Sequence, residues 1–224
     1  WMHRPIEGRI LSGSFSEDAR GRWYVNLQCE VGAAPSVGTE EIGIDLGLKD
    51  FATLSTGEKI ANPRHYRREE GALAVAQRAG RTARARAIHA KIQNRRRHDL
   101  HVTSAHLVKR SCAVYIGNVN ASALARTKLA KSVLDAGWSK FRTMLHYKAI
   151  RHGVRFAEVD EHQTTRGCST CGSCSGPRGL KDLGVREWVC SGCGAAHDRD
   201  VNAAKNILRL GQNAGLQLTE SPRL

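Results

Sequence analysis

The sequence predicts a mixed α/β fold in which helices pack on a β-sheet, and three observations support this prediction. Short β-type runs alternate with longer helical runs along the 224-residue chain. Two aspartates lie at opposite ends of the chain: Asp45 ends an apolar strand, and Asp200 opens an amphipathic helix. Between them, four of the seven cysteines form two Cys-x-x-Cys steps. The apolar fraction of 41% is sufficient to build a core.

The first third of the chain is rich in strands. Two β-type runs within residues 9–31 surround a glycine-containing turn and predict a β-hairpin. The apolar run Glu41–Leu46 then predicts a compact strand. Residues 52–54 and 59–61 flank a turn of polar and glycine residues, which predicts two more short strands. Together the last three strands form a three-stranded meander.

Helical sequence dominates the middle of the chain. Residues 63–107 are rich in Ala, Arg and Gln, with Gly71 and Gly80 as weak points, so they form one long helix or two. Residues 112–116 predict a second buried strand. Residues 131–152 are amphipathic and predict another helix. The residues of this helix expected in the core are Val133, Leu134, Trp138, Phe141, Leu145 and Ile150.

The final elements complete a recognisable order. Gly153 ends the amphipathic helix, residues 154–159 alternate as a half-buried strand, and residues 200–210 form a helix that Gly211 ends. The predicted order is three strands, a basic helix, a strand, a helix, a strand, a cysteine-rich insert and a helix. This order matches an α/β layer fold of the ribonuclease H kind, in which metal-binding carboxylates gather at strand ends.

The charge of the chain predicts a polyanionic partner. Lys and Arg number 35 against 21 Asp and Glu, which gives a formal charge of +14 and a pI of about 9.9. Residues 63–107 hold eleven of the cations and only three acids, which favours a helix that faces phosphates over a solvated charged face. Scarce aromatic residues argue against base stacking by this helix. The arginines assigned to nucleic-acid binding are Arg78, Arg81, Arg84, Arg86, Arg95, Arg96 and Arg97.

The sequence contains neither a run of about 18 apolar residues nor a secretory signal, so we expect a cytoplasmic protein without membrane contact. An odd number of cysteines, four of them in paired steps, fits metal ligation in a reducing compartment better than disulfides. Cys29 and Cys112 lie in apolar runs, and we expect both to be buried thiols.

The paired cysteines have the spacing of a zinc ribbon. Two Cys-x-x-Cys-Gly motifs are separated by eighteen residues. Cys174 adds a further step, so Cys171 and Cys174 form a rival first pair, but only the Cys168/Cys171 pair is followed by the glycine typical of a knuckle. Four thiolates fill the coordination shell, which makes the Zn²⁺ structural rather than catalytic. The predicted ligands are Cys168, Cys171, Cys190 and Cys193.

Three motifs carry a resemblance to a known family. They are Gly43-Ile-Asp45-Leu-Gly47, the paired cysteine motifs, and Asp198-Arg-Asp200-Val-Asn202-Ala-Ala-Lys-Asn206-Ile-Leu208. With them the chain resembles the TnpB (OrfB) proteins of bacterial insertion sequences, over residues 9–211. The resemblance implies a RuvC-like nuclease domain interrupted by a zinc ribbon, and a relation to type V CRISPR effectors. The implied function is that of an RNA-guided DNA endonuclease that uses Mg²⁺, in a family long described as transposases, with DNA and a guide RNA as partners.

The resemblance also implies domain boundaries. Residues 1–38 correspond to a remnant of an N-terminal β-rich wedge domain, and residues 39–165 to the first part of the RuvC-like domain. Residues 166–197 correspond to the zinc ribbon, and residues 198–224 to the final helix and tail. Because family members are usually much longer, we expect an N-terminal portion that recognises guide RNA and target to be missing.

By this likeness Asp45 matches the first RuvC carboxylate and Asp200 the third. The family places the second, a glutamate, at the end of the strand before the amphipathic helix, where this chain has Gly117. In one hypothesis Glu161, which follows the next strand, supplies the missing acid from roughly 4.8 Å away, one strand spacing. In the other the protein no longer cuts and binds nucleic acid only, for example as a guided repressor. A third hypothesis is an inactive gene fragment.

Other polar residues near these motifs have alternative roles. Glu158 lies within a strand and Asp135 within a helix, which makes both weaker substitutes for the missing acid. Asp198 is expected to cap the last helix, where a carboxylate also meets a favourable helix dipole. Asn202 and Asn206 lie one helical turn apart and are expected to support the site or the backbone nearby.

Overall fold

The computed structural model describes residues 5–32, 34–35, 37–178, 182 and 184–219, with side chains as far as residue 214. The predicted mixed α/β class is confirmed, with a five-stranded sheet, a separate hairpin and a small two-stranded unit among the cysteines. The elements are β1 (Arg9–Glu17), β2 (Trp23–Glu30), β3 (Glu40–Leu46), β4 (Asp50–Leu54), β5 (Lys59–Ala61), α1 (His65–Arg78), α2 (Thr82–Arg110), β6 (Ser111–Gly117), α3 (Ala121–Leu124), α4 (Ala130–Ala136), α5 (Trp138–His152), β7 (Arg155–Val159), β8 (Glu187–Val189), β9 (Ala196–Asp198) and α6 (Arg199–Thr219).

The main sheet has the strand order β5-β4-β3-β6-β7. Strands β3, β4 and β5 pair antiparallel and form the predicted meander. Strands β6 and β7 run parallel to β3, and β7 lies beside β6 with Gly117 opposite Val159. In such a sheet the carboxyl ends of the parallel strands share one edge, which is the usual place for a ligand site. Asp45, Gly117 and the residues that follow Val159 therefore come to the same edge.

Helices cover both faces of this sheet. Side chains alternate along a strand, so each face of β6 has its own core. Val114 and Ile116 pack with buried residues of α2 and α5. Ala113 and Tyr115 pack on the opposite face, against Ile207 of α6. On this second face of the sheet, α6 packs against β3, the first strand of the meander, and against β6.

The predicted amphipathic helix is broken in two, which changes the residues it buries. Gly137, with φ +73°, separates α4 from α5. The break shifts the helical phase of α4 relative to α5, which leaves Leu134 63% exposed. Ile150 is 66% exposed because it lies one position past Ala149, outside the buried face of α5. The prediction of core positions was wrong for these two residues. It is confirmed for Val133, Trp138, Phe141 and Leu145.

The basic region forms two helices, α1 and α2, with Gly80 at φ +65° between them. A carboxylate from α4 ties the two together. Asp135 is 6% exposed and accepts hydrogen bonds from the Tyr66 N–H at the start of α1 (2.9 Å) and from Arg96 Nη2 of α2 (3.1 Å). Asp135 is therefore committed to this junction of three helices.

Two expectations about single residues differ from the structure. Cys29 is half-buried on the hairpin, and Cys112 is exposed, with its thiol donating to the Thr39 carbonyl at 3.3 Å. The prediction of a buried thiol was wrong for Cys112, because this residue lies at the start of its strand rather than in its apolar centre. In the described part of the chain, no helix combines the length and the apolar character needed to cross a bilayer.

Two glycines let α6 lie directly on the sheet. A Cβ at Gly43 of β3 would overlap the backbone of Ala204, and a Cβ at Gly211 of α6 would overlap the ring of Tyr115. The prediction that Gly211 ends the helix was wrong, because α6 continues to Thr219 and the glycine serves close packing instead.

We expect Gly43→Ala to destabilise the fold, because the new methyl group meets helix backbone that has nowhere to move. The cost should be at least about 1–3 kcal/mol, as for overpacked cores. Gly71→Ala is the matched control: Gly71 lies within α1 with open space around it, so the same change should stabilise by about 0.5–1 kcal/mol. Thermal or urea denaturation of the two variants measures both effects. Equal effects of the same sign would contradict the close approach.

Candidate functional site

Asp45, the penultimate residue of β3, lies within electrostatic reach of the other two predicted carboxylates, Asp200 and Glu161. Burial raises the pKa of the Asp45 carboxyl well above its usual range, and the negative charges of Asp200 and Glu161 raise it further. The Arg199 guanidinium opposes these effects in part. The first and last acidic motifs of the sequence thus converge through the fold, and Glu161 joins them.

Glu161 occupies the space that a side chain at position 117 would fill. A Cβ built on Gly117 would lie 2.7 Å from Glu161 Oε2 and 3.2 Å from Ile207 Cδ1. The Glu161 N–H donates to Asn118 Oδ1 at 3.3 Å, which ties the loop after β7 to the end of β6. Burial raises the pKa of the Glu161 carboxyl, although the nearby Arg142 guanidinium lowers it. The alternative acid Glu158 instead pairs with Arg142 at 3.3 Å.

Asp198 caps α6, as predicted. Its Oδ1 accepts hydrogen bonds from the backbone N–H groups of Asp200 and Val201, each at 3.0 Å. Its Oδ2 pairs with Lys59 Nζ at 2.6 Å. Burial acts to raise the pKa of the Asp198 carboxyl, but Lys59 and the two amides outweigh burial and hold the pKa below its usual value. The cap fixes the helix start that presents Asp200.

Cations from distant segments surround Asp200 and Asp45. Arg186, between the two cysteine pairs, places Nη1 at 3.3 Å from Asp200 Oδ2. Arg199 is buried, and its Nη1 donates to the carbonyl of Asp182 at 2.8 Å. Sequence reasoning missed Arg186, Lys59 and Arg199. No local pattern marks these contacts, and the Lys59 pair spans 139 residues.

Two asparagines fasten the loop of Glu161 to α6. Asn202 and Asn206 are almost fully buried, and the Nδ2 group of each donates to the carbonyls of Thr164 and Gly167, at 2.7–3.2 Å. Asn202 Oδ1 also accepts from the Ser169 N–H at 2.8 Å. The expected support of nearby backbone is confirmed, and the supported segment joins Glu161 to the first cysteine pair.

Four cysteines form a second cluster. The Sγ atoms of Cys168, Cys171, Cys190 and Cys193 all lie within 4.8 Å of one another, an arrangement able to hold a metal ion. Cys174 lies outside the cluster, with its thiol 3.7 Å from Gln163 Oε1. Among the residues that the structure describes, no other set of three or more Cys, His, Asp or Glu side chains is this compact. The oxygens of Asp45, Glu161 and Asp200 are therefore more widely spaced.

Short polar contacts favour the thiolate form of Cys190, whereas at Cys193 the Ala195 N–H acts to lower the pKa but contacts with the neighbouring thiols outweigh it and raise the pKa to about 12. Hydrogen bonds from the Ser173 and Ser175 hydroxyls lower the pKa of the Cys190 thiol to about 5. His197 Nε2 lies 3.1 Å from Cys168 Sγ, and its ring stacks at 4.7 Å on that of Trp188. Gly172 and Gly194, each after the second cysteine of a pair, adopt φ +81° and +72°, which allows the tight turn expected there.

The arginines assigned to nucleic-acid binding fall into two groups. Arg95 pairs with Glu69 at 3.2 Å, and Arg96 is half-buried against Asp135. The other five are exposed on α1, on α2 or between them: Arg78, Arg81, Arg84, Arg86 and Arg97. A cleft of about 350 Å³, which we call the hairpin groove, separates α2 from the hairpin β1–β2. Its lining includes Arg20, Tyr24, Asn26, Arg86 and Arg97.

Two family models match adjacent parts of the chain. The model described as a probable transposase, OrfB of the IS605 type, matches residues 25–128. The model described as the Cas12f1-like TNB domain matches residues 138–207, which include all four clustered cysteines and Asp200.

Individual relatives and solved structures agree with these models. A putative RNA-guided DNA endonuclease of Streptomyces pristinaespiralis is 42% identical over 211 residues, which cover 88% of this chain and 52% of that protein. A TnpB-like protein of Acanthamoeba polyphaga mimivirus is 31% identical over 135 residues, or 56% of this chain and 25% of that protein. The chain spans about half the length of the first of these relatives and about a quarter of the length of the second.

The fold has a counterpart among solved structures. Cas12f1 in a cryo-EM structure of its complex with sgRNA and target DNA superposes with a TM-score of 0.57 at 17% identity, over 85% of this chain and 54% of that one. At this identity the similarity concerns the fold alone. The family models and the relatives taken together show that the chain is similar, over most of its length, to TnpB-like (OrfB) proteins and to proteins described as putative RNA-guided DNA endonucleases.

Proposed function

We propose that the chain is the nuclease core of an RNA-guided DNA endonuclease, with Asp45, Glu161 and Asp200 as Mg²⁺ ligands. The observation that carries this proposal is the position of Glu161. Its carboxylate fills the space above Gly117, and its charge and that of Asp200 both act on Asp45. A carboxylate lost from one strand end is thus replaced from the neighbouring strand end.

The sheet supports a ribonuclease H-like (RuvC) assignment. Three antiparallel strands followed by two parallel ones, in the order β5-β4-β3-β6-β7, are the arrangement expected for that fold. It sets the ends of β3, β6 and β7 side by side, beneath the start of α6. We further propose the domain boundaries at residues 38, 165 and 197, which make the hairpin β1–β2 a remnant of a wedge domain.

The chemistry of the donor set fits Mg²⁺. Carboxylate oxygens are the ligands that this cation prefers, and it usually retains several waters for the substrate phosphate to replace. Burial is the largest cause of the raised pKa values of the Asp45 and Glu161 carboxyls, and the nearby Arg199 and Arg142 guanidinium groups offset it only in part. A Mg²⁺ ion held by these carboxylates would supply the chemistry that activates a water and stabilises the leaving oxygen of a phosphodiester. Asp45 is the central ligand, Asp200 and Glu161 flank it, and Asn202 and Asn206 hold the flanking segments in place.

The four-cysteine cluster fits a structural Zn²⁺. Zn–S bonds of about 2.3 Å in a tetrahedron require sulfurs about 3.8 Å apart. The Cys168–Cys193 and Cys171–Cys190 Sγ distances are both 3.7 Å. Four thiolates leave no open position for water, so the ion stabilises the ribbon that carries Arg186 and leads into Asp200.

The exposed arginines provide a surface for the nucleic-acid partners. Arg86 and Arg97 line the hairpin groove, where they meet Arg20 from the hairpin turn. Contacts of this kind bind phosphates without regard to sequence and weaken with salt. We propose that this groove contributes to the binding of guide RNA and DNA. A nucleic-acid binder without nuclease activity is the second candidate. Two observations favour it: glycine stands at position 117, where the family has a glutamate, and the oxygens of Asp45, Glu161 and Asp200 do not all lie within 4.8 Å of one another.

Cleavage separates the two candidates. The purified chain, with RNA transcribed from the DNA that flanks its gene, should cut matched but not unmatched DNA in Mg²⁺. Asp45→Ala should lower the cutting rate by more than the roughly 10–100-fold expected for an outer-shell partner, with DNA retention unchanged. Retention of matched DNA by the wild-type chain without any cutting would instead establish the binding-only candidate.

A swap of the acid tests Glu161 directly. Glu161→Ala should abolish cutting, and the double variant Gly117→Glu/Glu161→Ala should restore it, because the acid returns to the family position in the same space. Gly117→Ala should lower cutting with only a small change in stability, since its methyl group displaces the flexible end of Glu161 and requires Ile207 Cδ1 to move by a few tenths of an ångström. Full activity of Glu161→Ala alone would exclude Glu161 as a ligand.

Removal of zinc should unfold the ribbon. Cys190→Ser should lose the bound metal and lower the melting temperature, because the binding energy of a structural zinc is folding energy, on the order of 10 kcal/mol in small modules. Cys174→Ser, which changes an exposed thiol outside the cluster, is the matched control and should keep both metal content and stability. Metal analysis and thermal melting measure the two effects.

The raised pKa of Asp45 predicts a cost in stability that Mg²⁺ relieves. An acid with a folded-state pKa above its unfolded value destabilises the fold at neutral pH, and this cost disappears as pH falls through the folded-state pKa. Asp45→Asn should therefore raise the melting temperature of the metal-free protein at neutral pH. Mg²⁺ should raise the melting temperature of the wild type but not of Asp45→Asn. A lower melting temperature for metal-free Asp45→Asn would contradict this account.

A further inference from the structure

A second groove, separate from the carboxylate site, lies where α2, α4 and α5 meet. It consists of a cavity of about 340 Å³ beside Trp138 and one of about 510 Å³ beside Tyr66 and Lys131. Both cavities are lined by Arg96, Leu134 and Lys140, so they are adjacent, and we call them together the junction groove. Their volumes lie within the roughly 300–1,000 Å³ of small-molecule sites.

The wall of the junction groove contains buried donors without acceptors. Trp138 is 3% exposed, yet its indole N–H has no hydrogen-bond partner in the described part of the chain. The same holds for the Nε–H of Arg96. More than nine in ten buried polar groups in folded proteins find a partner, so two unpaired donors beside one cavity call for an explanation. A ligand with acceptor oxygens satisfies that need.

The rim of the groove is positively charged. Lys140 is exposed and forms no ion pair with any residue that the structure describes. Lys131 lies on the same rim, and its Nζ pairs with Oε1 of the half-buried Glu70 at 2.9 Å. The single acid of the lining, Asp135, is already neutralised by Arg96. The groove therefore selects an anion, while the exposed Leu134 at its centre offers apolar contact.

The junction groove is continuous with the hairpin groove. His89 and Gln93 line both clefts, so a chain of phosphates bound along α2 passes from one to the other. The far end lies against Ala121 and Ser122 of α3, which follows Gly117 and Asn118 of the sheet edge within a few residues. This continuity favours a polyanionic strand over a free small anion.

From these features we propose that the junction groove binds one unpaired nucleotide of the nucleic acid that the protein carries. Its base lies against Leu134 and its phosphate lies at Lys140, and a small shift of the covering side chains would open the buried donors of Trp138 and Arg96 to its acceptor oxygens. The inference rests on the proposed nucleic-acid function but does not require cleavage. In this inference Leu134 serves ligand contact and has no role in the core, in keeping with its 63% exposure.

Binding in magnesium-free buffer tests the groove without any cutting. The probes are a short labelled oligothymidylate and an abasic strand of equal length, followed by fluorescence anisotropy over a range of salt. The wild-type chain should prefer oligothymidylate on the order of tenfold, as expected for one base contact. Leu134→Ser should remove that preference with little loss of stability, because its side chain is already mostly exposed.

Charge reversal supplies the second arm. Lys140→Glu should weaken binding of both strands and lower the slope of log affinity against log salt by about one. Lys128→Glu makes the same charge change at an exposed position that lines neither cavity, and should have a clearly smaller effect. Equal effects of the two reversals, or a base preference that survives Leu134→Ser, would overturn the inference.

The outcomes also separate this inference from the nuclease proposal. A chain that shows the Leu134 and Lys140 effects but never cuts DNA in Mg²⁺ overturns the nuclease proposal alone. A chain that cuts matched DNA but shows neither effect overturns the junction-groove inference alone. Unchanged strand binding together with altered self-association of Leu134→Ser would assign the groove to a protein contact instead.

Discussion

The direct contact between α6 and the sheet is the constraint on which the rest of the structure depends. It requires glycine on both sides: Gly43 on β3 faces the helix backbone, and Gly211 on α6 faces the ring of Tyr115. A helix held this close presents its first turn at the carboxyl edge of β3. That geometry, and not any local feature of either motif, brings Asp200 to Asp45 across most of the chain.

The same helix also organises what lies next to it. Its second and third turns carry Asn202 and Asn206, which hold the backbone of Thr164 and Gly167. That backbone connects Glu161 to Cys168, so one pair of amide side chains positions a carboxylate on one side and the cysteine cluster on the other. The position of Glu161 above Gly117 thus depends on the hydrogen bonds from α6 to the connecting loop as well as on the sheet.

Local chemistry allowed much of this to be predicted from the sequence. Paired Cys-x-x-Cys-Gly motifs fix a cluster because ligand spacing within each knuckle is a local property, and the alternating apolar runs fix the meander. Helix phase was harder, because Gly137 interrupts an amphipathic pattern that continues on both sides of it and so exposes Leu134. Ile150 lies one position off the buried face of α5 and is exposed for that reason. Gly211 looked like a helix end because the sequence does not show the tyrosine ring that it accommodates. The cations Lys59 and Arg186 follow only from tertiary pairing, which no single segment encodes.

These long-range cations show why the site belongs to the assembled fold. Asp198 is paired by Lys59 from β5, Asp200 by Arg186 from the segment between the cysteine pairs, and Asp45 lies near Arg199 of α6. Each acid therefore has a cation from a different part of the chain, and at Asp45 burial together with the charges of Asp200 and Glu161 outweighs Arg199 and keeps the pKa raised. Loss of the ribbon removes Arg186 from Asp200. The negative charges of Asp45 and Asp200 then repel each other more strongly. The cysteine cluster is in this way coupled to the carboxylates through Arg186, which the ribbon carries.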